Sequence, residues 1–221
     1  MHSGNLKPVS KNISAHGKSN PDNKLLPEHY YVASKGLKRG CIVGEKVKEG
    51  IKRPMTFGEK MLAREIFAGS VNYEKVIVHC DSYFPFGLQP SEYAMAPNGE
   101  LWFRKEKYWP DFSLAAIDDQ HTFLHEMGHV WQHQKGMWVR TRGLFSKLVD
   151  YTYRLDGKKR LKEYGMEQQT SIISDYWYLK RFGYKAWLSA IGPTVNFRGV
   201  TDKDISKKYE YTLSQFLRQR S

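Results

Sequence analysis

His125 and His129 stand four residues apart, with Glu126 directly after the first, in the stretch Phe123-Leu124-His125-Glu126-Met127-Gly128-His129. On a helix this spacing puts both imidazoles on one face about one turn apart, so that they can grip a single metal ion. Two such nitrogen donors suit Zn2+. A carboxylate set off to the side of that face can reach a water on the metal and take its proton. The pattern is short, and a chain with 8 histidines can carry it by chance, so its surroundings must decide.

The surroundings are those of a helix with two unlike sides. Projecting 117–134 at about 100° per residue gathers Phe123, Leu124, Met127, Val130 and Trp131 on one arc. His121, His125, Glu126 and His129 fall on the other. That pattern predicts an apolar back for the core and a histidine-bearing front for a cleft. Asp118 or Asp119 would cap its start, and Gly128 would let another backbone come close.

Catalytic zinc takes three protein ligands and leaves one position for water. His133 continues the four-residue spacing but lies two turns from His125, about 12 Å along a straight helix, too far for one ion to bridge. The third ligand is therefore expected to be a carboxylate from a later helix, and Glu163, Glu167 and Asp175 compete. No Lys or Arg occurs from Tyr164 to Leu179 in a chain with 35 of them. A helix over 164–181 would put Ile172, Ile173, Tyr176, Trp177 and Leu179 on its apolar side. Glu167, Ser171, Ser174 and Tyr178 would lie opposite, with Asp175 at the edge. Such a cation-free stripe suits a bound cation, and equally suits hydrogen bonding within a packed interface. Glu167 heads the stripe and is the ligand chosen, with Glu163 as the fallback. Glu126 would then act as the base in metal-assisted hydrolysis. His121, His133, Tyr164 and Tyr178 are candidates for stabilising the oxyanion, and Asp175 or Ser171 for orienting a ligand imidazole.

The remaining elements must hold these two helices. Thr56 caps an expected helix over 57–67, closed by Gly69. Residues 75–80 read as a short strand. Pro97-Asn98-Gly99 reads as a hairpin turn between 93–96 and 101–103. Further helices are expected over 184–191 and 202–219. Together they predict an α+β domain, mainly helical, with a small β-sheet or hairpin.

Composition bounds the alternatives. Hydrophobic content of 40% and aromatic content of 14% are those of a globular chain. No apolar run approaches 18 residues, so no membrane span is expected. Met1-His2-Ser3-Gly4-Asn5-Leu6-Lys7-Pro8 lacks the apolar middle of a secretory signal. Cys41 and Cys80 read as free thiols. The net charge of +12 is uneven: residues 1–53 carry eleven Lys or Arg against four Asp or Glu. The division expected is therefore a basic arm over 1–55, loosely draped over 1–28, and a catalytic domain over 56–221. A second basic stretch runs from Arg140 to Arg142. Aromatic residues are not interleaved with the basic ones, which speaks against a nucleic-acid partner.

His125-Glu126-Met127-Gly128-His129 followed by Val130-Trp131-Gln132-His133, then Met166-Glu167-Gln168-Gln169-Thr170 and Ile172-Ile173-Ser174-Asp175-Tyr176, resembles a family of bacterial zincin metallopeptidase domains. These are found at the C-terminus of type VI secretion spike (VgrG) proteins and as related stand-alone proteins. The likeness runs from about Thr56 to Phe182 and takes in Pro97-Asn98-Gly99-Glu100. It implies a zincin-like fold, zinc held by His125, His129 and Glu167, and Glu126 as the catalytic base. It also implies an antibacterial effector toxin, made in the cytoplasm and secreted by a dedicated apparatus with a carrier and an immunity protein. Such a toxin would act in the target cell's periplasm on protein or on the peptide part of peptidoglycan. Two other readings compete: a non-catalytic binding module stabilised by zinc, and a basic nucleic-acid-binding protein.

Overall fold

The computed structural model describes residues 41–42, 45–137 and 150–220. The expected arm over 1–28 and the basic stretch Arg140–Arg142 lie outside the described residues. Within them, four helices pack around a small four-stranded sheet in a mixed α+β arrangement. No helix among them is long and apolar enough to cross a membrane.

β-branched residues favour extended chain, and Ile77 and Val78 open the strand at the centre of the sheet. Strands β1 (Cys41–Ile42) and β2 (Glu45–Lys46) form a separate antiparallel pair. Strand β3 (Ile51–Pro54) runs antiparallel to β4 (Ile77–Cys80), and β4 runs parallel to β6 (Leu101–Phe103). Strand β5 (Ala94–Met95) closes the order β3-β4-β6-β5 by pairing antiparallel with β6. The expected hairpin is therefore present, and its turn uses Gly99 at φ 76°. The sheet also takes an edge strand from residues before Thr56, where Pro54, which cannot donate to a ladder, is tolerated. Cys80 is a free, buried thiol.

Helix α1 (Phe57–Phe67) begins as the sequence predicts. Thr56 accepts from the Glu59 amide at 3.0 Å, and the Glu59 carboxylate accepts from the Thr56 amide at 2.9 Å. Glu59 is fully buried and also meets Arg53 at 2.7 Å and the Phe112 amide at 3.0 Å. One carboxylate thereby ties β3, α1 and the turn before the histidine helix. At the other end the left-handed residue is Ala68, at φ 46°, and not Gly69, whose amide instead bonds the Arg220 carbonyl at 2.7 Å.

Helix α2 (Ile117–Gln134) carries the motif. Ala116 occupies its N-cap, so neither aspartate caps it; both sit in the first turn. Asp119 is drawn instead to the Trp109 indole at 3.0 Å, and Asp118 to the Thr194 hydroxyl at 2.7 Å. Its back is core: Phe123, Leu124, Met127 and Val130 are fully buried. Burying such side chains contributes about 1.5–3 kcal/mol each. Phe112 stacks on Phe123 at 5.1 Å and meets Phe103 at 4.4 Å, which fixes α2 against β6.

Helix α3 (Met166–Ala190) joins two helices the sequence predicts separately, across a break at Gly183 with φ 82° and ψ 171°. Helix α4 (Ile205–Arg218) seals the far side, where Phe216 meets Trp131 edge-on at 5.2 Å and Phe67 at 5.9 Å.

Candidate metal centre

The approach of α2 to α3 sets the site. Gly128 is the contact point: a Cβ placed there would lie 2.7 Å from Thr170 Cγ2 and 3.3 Å from Thr170 Cα. Without a side chain at 128, the first turn of α3 lies against the histidine face of α2. Glu167, in that turn, then reaches both imidazoles. Its Oε2 lies 3.2 Å from His125 Nε2 and 2.9 Å from His129 Nε2. One ligand atom from each of His125, His129 and Glu167 lies within 4.8 Å of the others, a group that could hold a metal ion. Two imidazole nitrogens and a carboxylate oxygen form a donor set that suits zinc.

All members of the expected front are buried, so the group is recessed and does not lie open on the helix surface. Burial tends to lower the His129 pKa, yet Glu167 outweighs it, and the imidazole is pushed up to about 9. Burial works to raise Glu167, but hydrogen bonds from His125 and His129 hold its carboxyl well below the usual range. Burial raises Glu126, against the pull of His129 and His125. The Glu126 carboxylate accepts no hydrogen bond from any described residue.

The other residues singled out from sequence are dispersed. His121 Nε2 lies 2.7 Å from Asp175 Oδ1, so this pair is one turn removed from the three donors. Asp175 also accepts from the Tyr153 hydroxyl at 2.7 Å and the Asn196 amide at 2.8 Å. Ser171 Oγ accepts from Asn196 at 3.3 Å, and Ser174 donates to the Ser171 carbonyl at 3.2 Å. This lower part of the cation-free stripe is a fully buried hydrogen-bonded interface. Glu163 accepts from the Arg160 amide at 2.6 Å. Tyr164 donates to the Arg154 carbonyl at 2.8 Å, and Tyr178 packs on Phe182 at 4.9 Å. His133 is exposed and turns onto Gly99, where with Asn98 and Glu100 it lines a cleft of about 490 Å³.

Three residues at the centre escape the sequence reading. Gln132 Oε1 faces His129 Nδ1 at 2.9 Å, while its amide donates to the Met166 carbonyl at 3.0 Å and to Gln169 Oε1 at 3.2 Å. Thr170 Oγ1 lies 3.0 Å from His125 Nε2 and donates to the Glu167 carbonyl at 2.9 Å. Tyr151 sets its ring 5.8 Å from that of His125. Gln132 and Thr170 each stand three residues after a donor on the same helix, a spacing that could have marked them. Tyr151 has no such relation.

No protein-family model matches the chain. Over 135 residues the chain is 40% identical to the type VI secretion system spike protein VgrG2b of Pseudomonas aeruginosa. That match takes in 58% of this chain and 13% of the spike protein, so the chain spans only a small part of this relative's length. The solved effector domain of Pseudomonas aeruginosa VgrG2b is similar at a TM-score of 0.54 and 32% identity. The similarity covers 77% of this chain and 96% of that domain.

Proposed function

The chain belongs to the family of the VgrG2b effector domain, and from that kinship we propose that it is a zincin-type zinc metallopeptidase acting as a type VI secretion effector. One observation carries the enzymatic reading. His125, His129 and Glu167 converge, while Glu126, buried next to His125, keeps a carboxylate that no described residue occupies.

In this reading His125, His129 and Glu167 hold zinc. When bound, zinc supplies Lewis acidity, lowering the pKa of a water and polarising a carbonyl. The protein's groups do the rest. Gln132 braces the His129 imidazole through Nδ1. Glu126 takes up the proton released by the attacking water and passes it to the departing amine. Its burial favours that uptake, because a carboxylate held above its usual range is the stronger base. The substrate class is a peptide or amide bond in protein or in the peptide part of peptidoglycan. The charge of +12 suits an anionic wall. Action in a target cell's periplasm, with a secretion carrier and an immunity protein, completes the proposal as an antibacterial toxin. A closed, purely structural zinc shell could recruit His121 or His133 as a fourth donor. The first is engaged by Asp175 and the second faces the hairpin turn.

The test combines metal analysis with hydrolysis of casein and of purified peptidoglycan. Wild type should hold about one zinc ion per chain, and Glu167→Ala should lose it. Glu126→Gln should keep the metal while its rate falls about 10²–10⁴-fold. Wild type without zinc, or a fully active Glu126→Gln protein, would overturn the reading.

A further inference from the structure

Metal-assisted hydrolysis of an amide needs a donor for the carbonyl oxygen as it gains negative charge. The donors that the sequence suggests are engaged elsewhere or stand apart. His121 is held by Asp175, Tyr164 by the Arg154 carbonyl, Tyr178 packs on Phe182, and His133 turns onto Gly99. Tyr151 is placed differently. Its ring lies 5.8 Å from His125, the two planes tilted by 46°. It is half-buried, and its hydroxyl bonds no described residue. Besides burial, the carboxylates of Glu167 and Glu126 oppose ionisation of this hydroxyl.

We propose that Tyr151 is a further catalytic residue whose O–H donates a hydrogen bond to the carbonyl oxygen of the scissile amide as the tetrahedral species forms. It keeps its proton throughout: an ordinary phenol, with a pKa of about 10, is a donor at neutral pH. Its ring, set against His125, holds the hydroxyl in place. This role rests on the metallopeptidase reading.

Tyr151→Phe tests it, because that change removes the hydroxyl and keeps the ring against His125. On casein, kcat should fall about 10²–10³-fold, with KM altered less than about threefold. Zinc affinity, measured without substrate by competition with a chelating dye, should match wild type. A Tyr151→Phe protein with the wild-type kcat overturns the assignment. So does one whose zinc affinity drops tenfold or more, since the hydroxyl would then be bracing the metal donors. Glu126→Gln separates the two levels of failure. If wild type cleaves and Glu126→Gln does not, full activity in Tyr151→Phe sinks the tyrosine alone. If zinc-loaded wild type cleaves neither casein nor peptidoglycan, the metallopeptidase reading fails and the tyrosine's role fails with it.

Discussion

An imidazole has two nitrogens, and what one of them bonds decides which is left for a metal. At His129 the Nδ1 side faces Gln132 Oε1, and that oxygen can only accept. Nδ1 therefore carries a hydrogen, and Nε2 points at Glu167. Gln132 itself is fully buried and held by Met166 and Gln169 of α3, so the orientation is rigid. Replacing Gln132 with Leu should weaken zinc binding about 10–100-fold, the usual effect of losing such a brace. Gln132→Glu keeps an acceptor at the same position and should retain most of the affinity. Dye competition on both variants checks this, and equal affinity in Gln132→Leu would exclude the bracing role. At this scale much is legible in the sequence. His125 and His129 announce themselves because one helix sets their spacing, and Glu167 because no cation interrupts its stretch. Gln132 has the right spacing but a residue type that many helices carry without consequence. Tyr151 arrives from a separate segment, and no local pattern links it to His125.

Helices α2 and α3 can bring their donors together only if their axes approach closely, and Gly128 against Thr170 is where that is decided. A methyl at 128 would meet Thr170 Cγ2 at 2.7 Å and Thr170 Cα at 3.3 Å, so side chain and backbone both oppose it. Gly128→Ala should therefore cost about 1–3 kcal/mol by overpacking, despite alanine's better helix propensity. Adding Thr170→Ser removes Cγ2 and keeps the hydroxyl near His125, so the double variant should recover part of the loss. Urea unfolding of the single and double variants measures that coupling, and strict additivity would show that the two residues do not press on each other. The helices themselves are readable from periodicity and caps, as α1 shows with Thr56 and Glu59. Element ends are less so. Ala116 caps α2 because Asp118 and Asp119 find tertiary partners, and Ala68 takes the left-handed turn that Gly69 could have taken more cheaply. Strand β3 is hidden because Ile51–Pro54 is short and follows a glycine-rich lead-in, and its partner is distant in sequence.

Over the whole molecule, the sheet, α1 and α4 hold α2 from behind, whereas the face toward the first turn of α3 carries polar donors. The Arg53–Glu59 pair and the Phe103, Phe112 and Phe123 cluster fix α2 to the sheet, and Phe216 fixes it to α4. Below the donors, Asp175 gathers His121, Tyr153 and Asn196 into a buried network that joins α2 to α3 without a metal. The fold should thus survive metal removal, with the loss confined to the upper end of the α2–α3 contact. A ligand that binds only the native state stabilises it by about 4 kcal/mol at a thousandfold excess over Kd. In a domain of this size each kcal/mol moves Tm by about 2–4 °C. Stripping zinc with a chelator should then lower Tm by about 8–16 °C, while the far-ultraviolet circular dichroism at 25 °C stays nearly unchanged. Glu126→Gln should show the full shift, because Glu126 is assigned to the proton and not to the metal, and Glu167→Ala should show little or none. A wild-type Tm indifferent to zinc would mean that the three donors do not act together on an ion, whatever their spacing. Collapse of the helical signal on chelation would instead mean that the Asp175 network cannot hold α3 to α2 unaided.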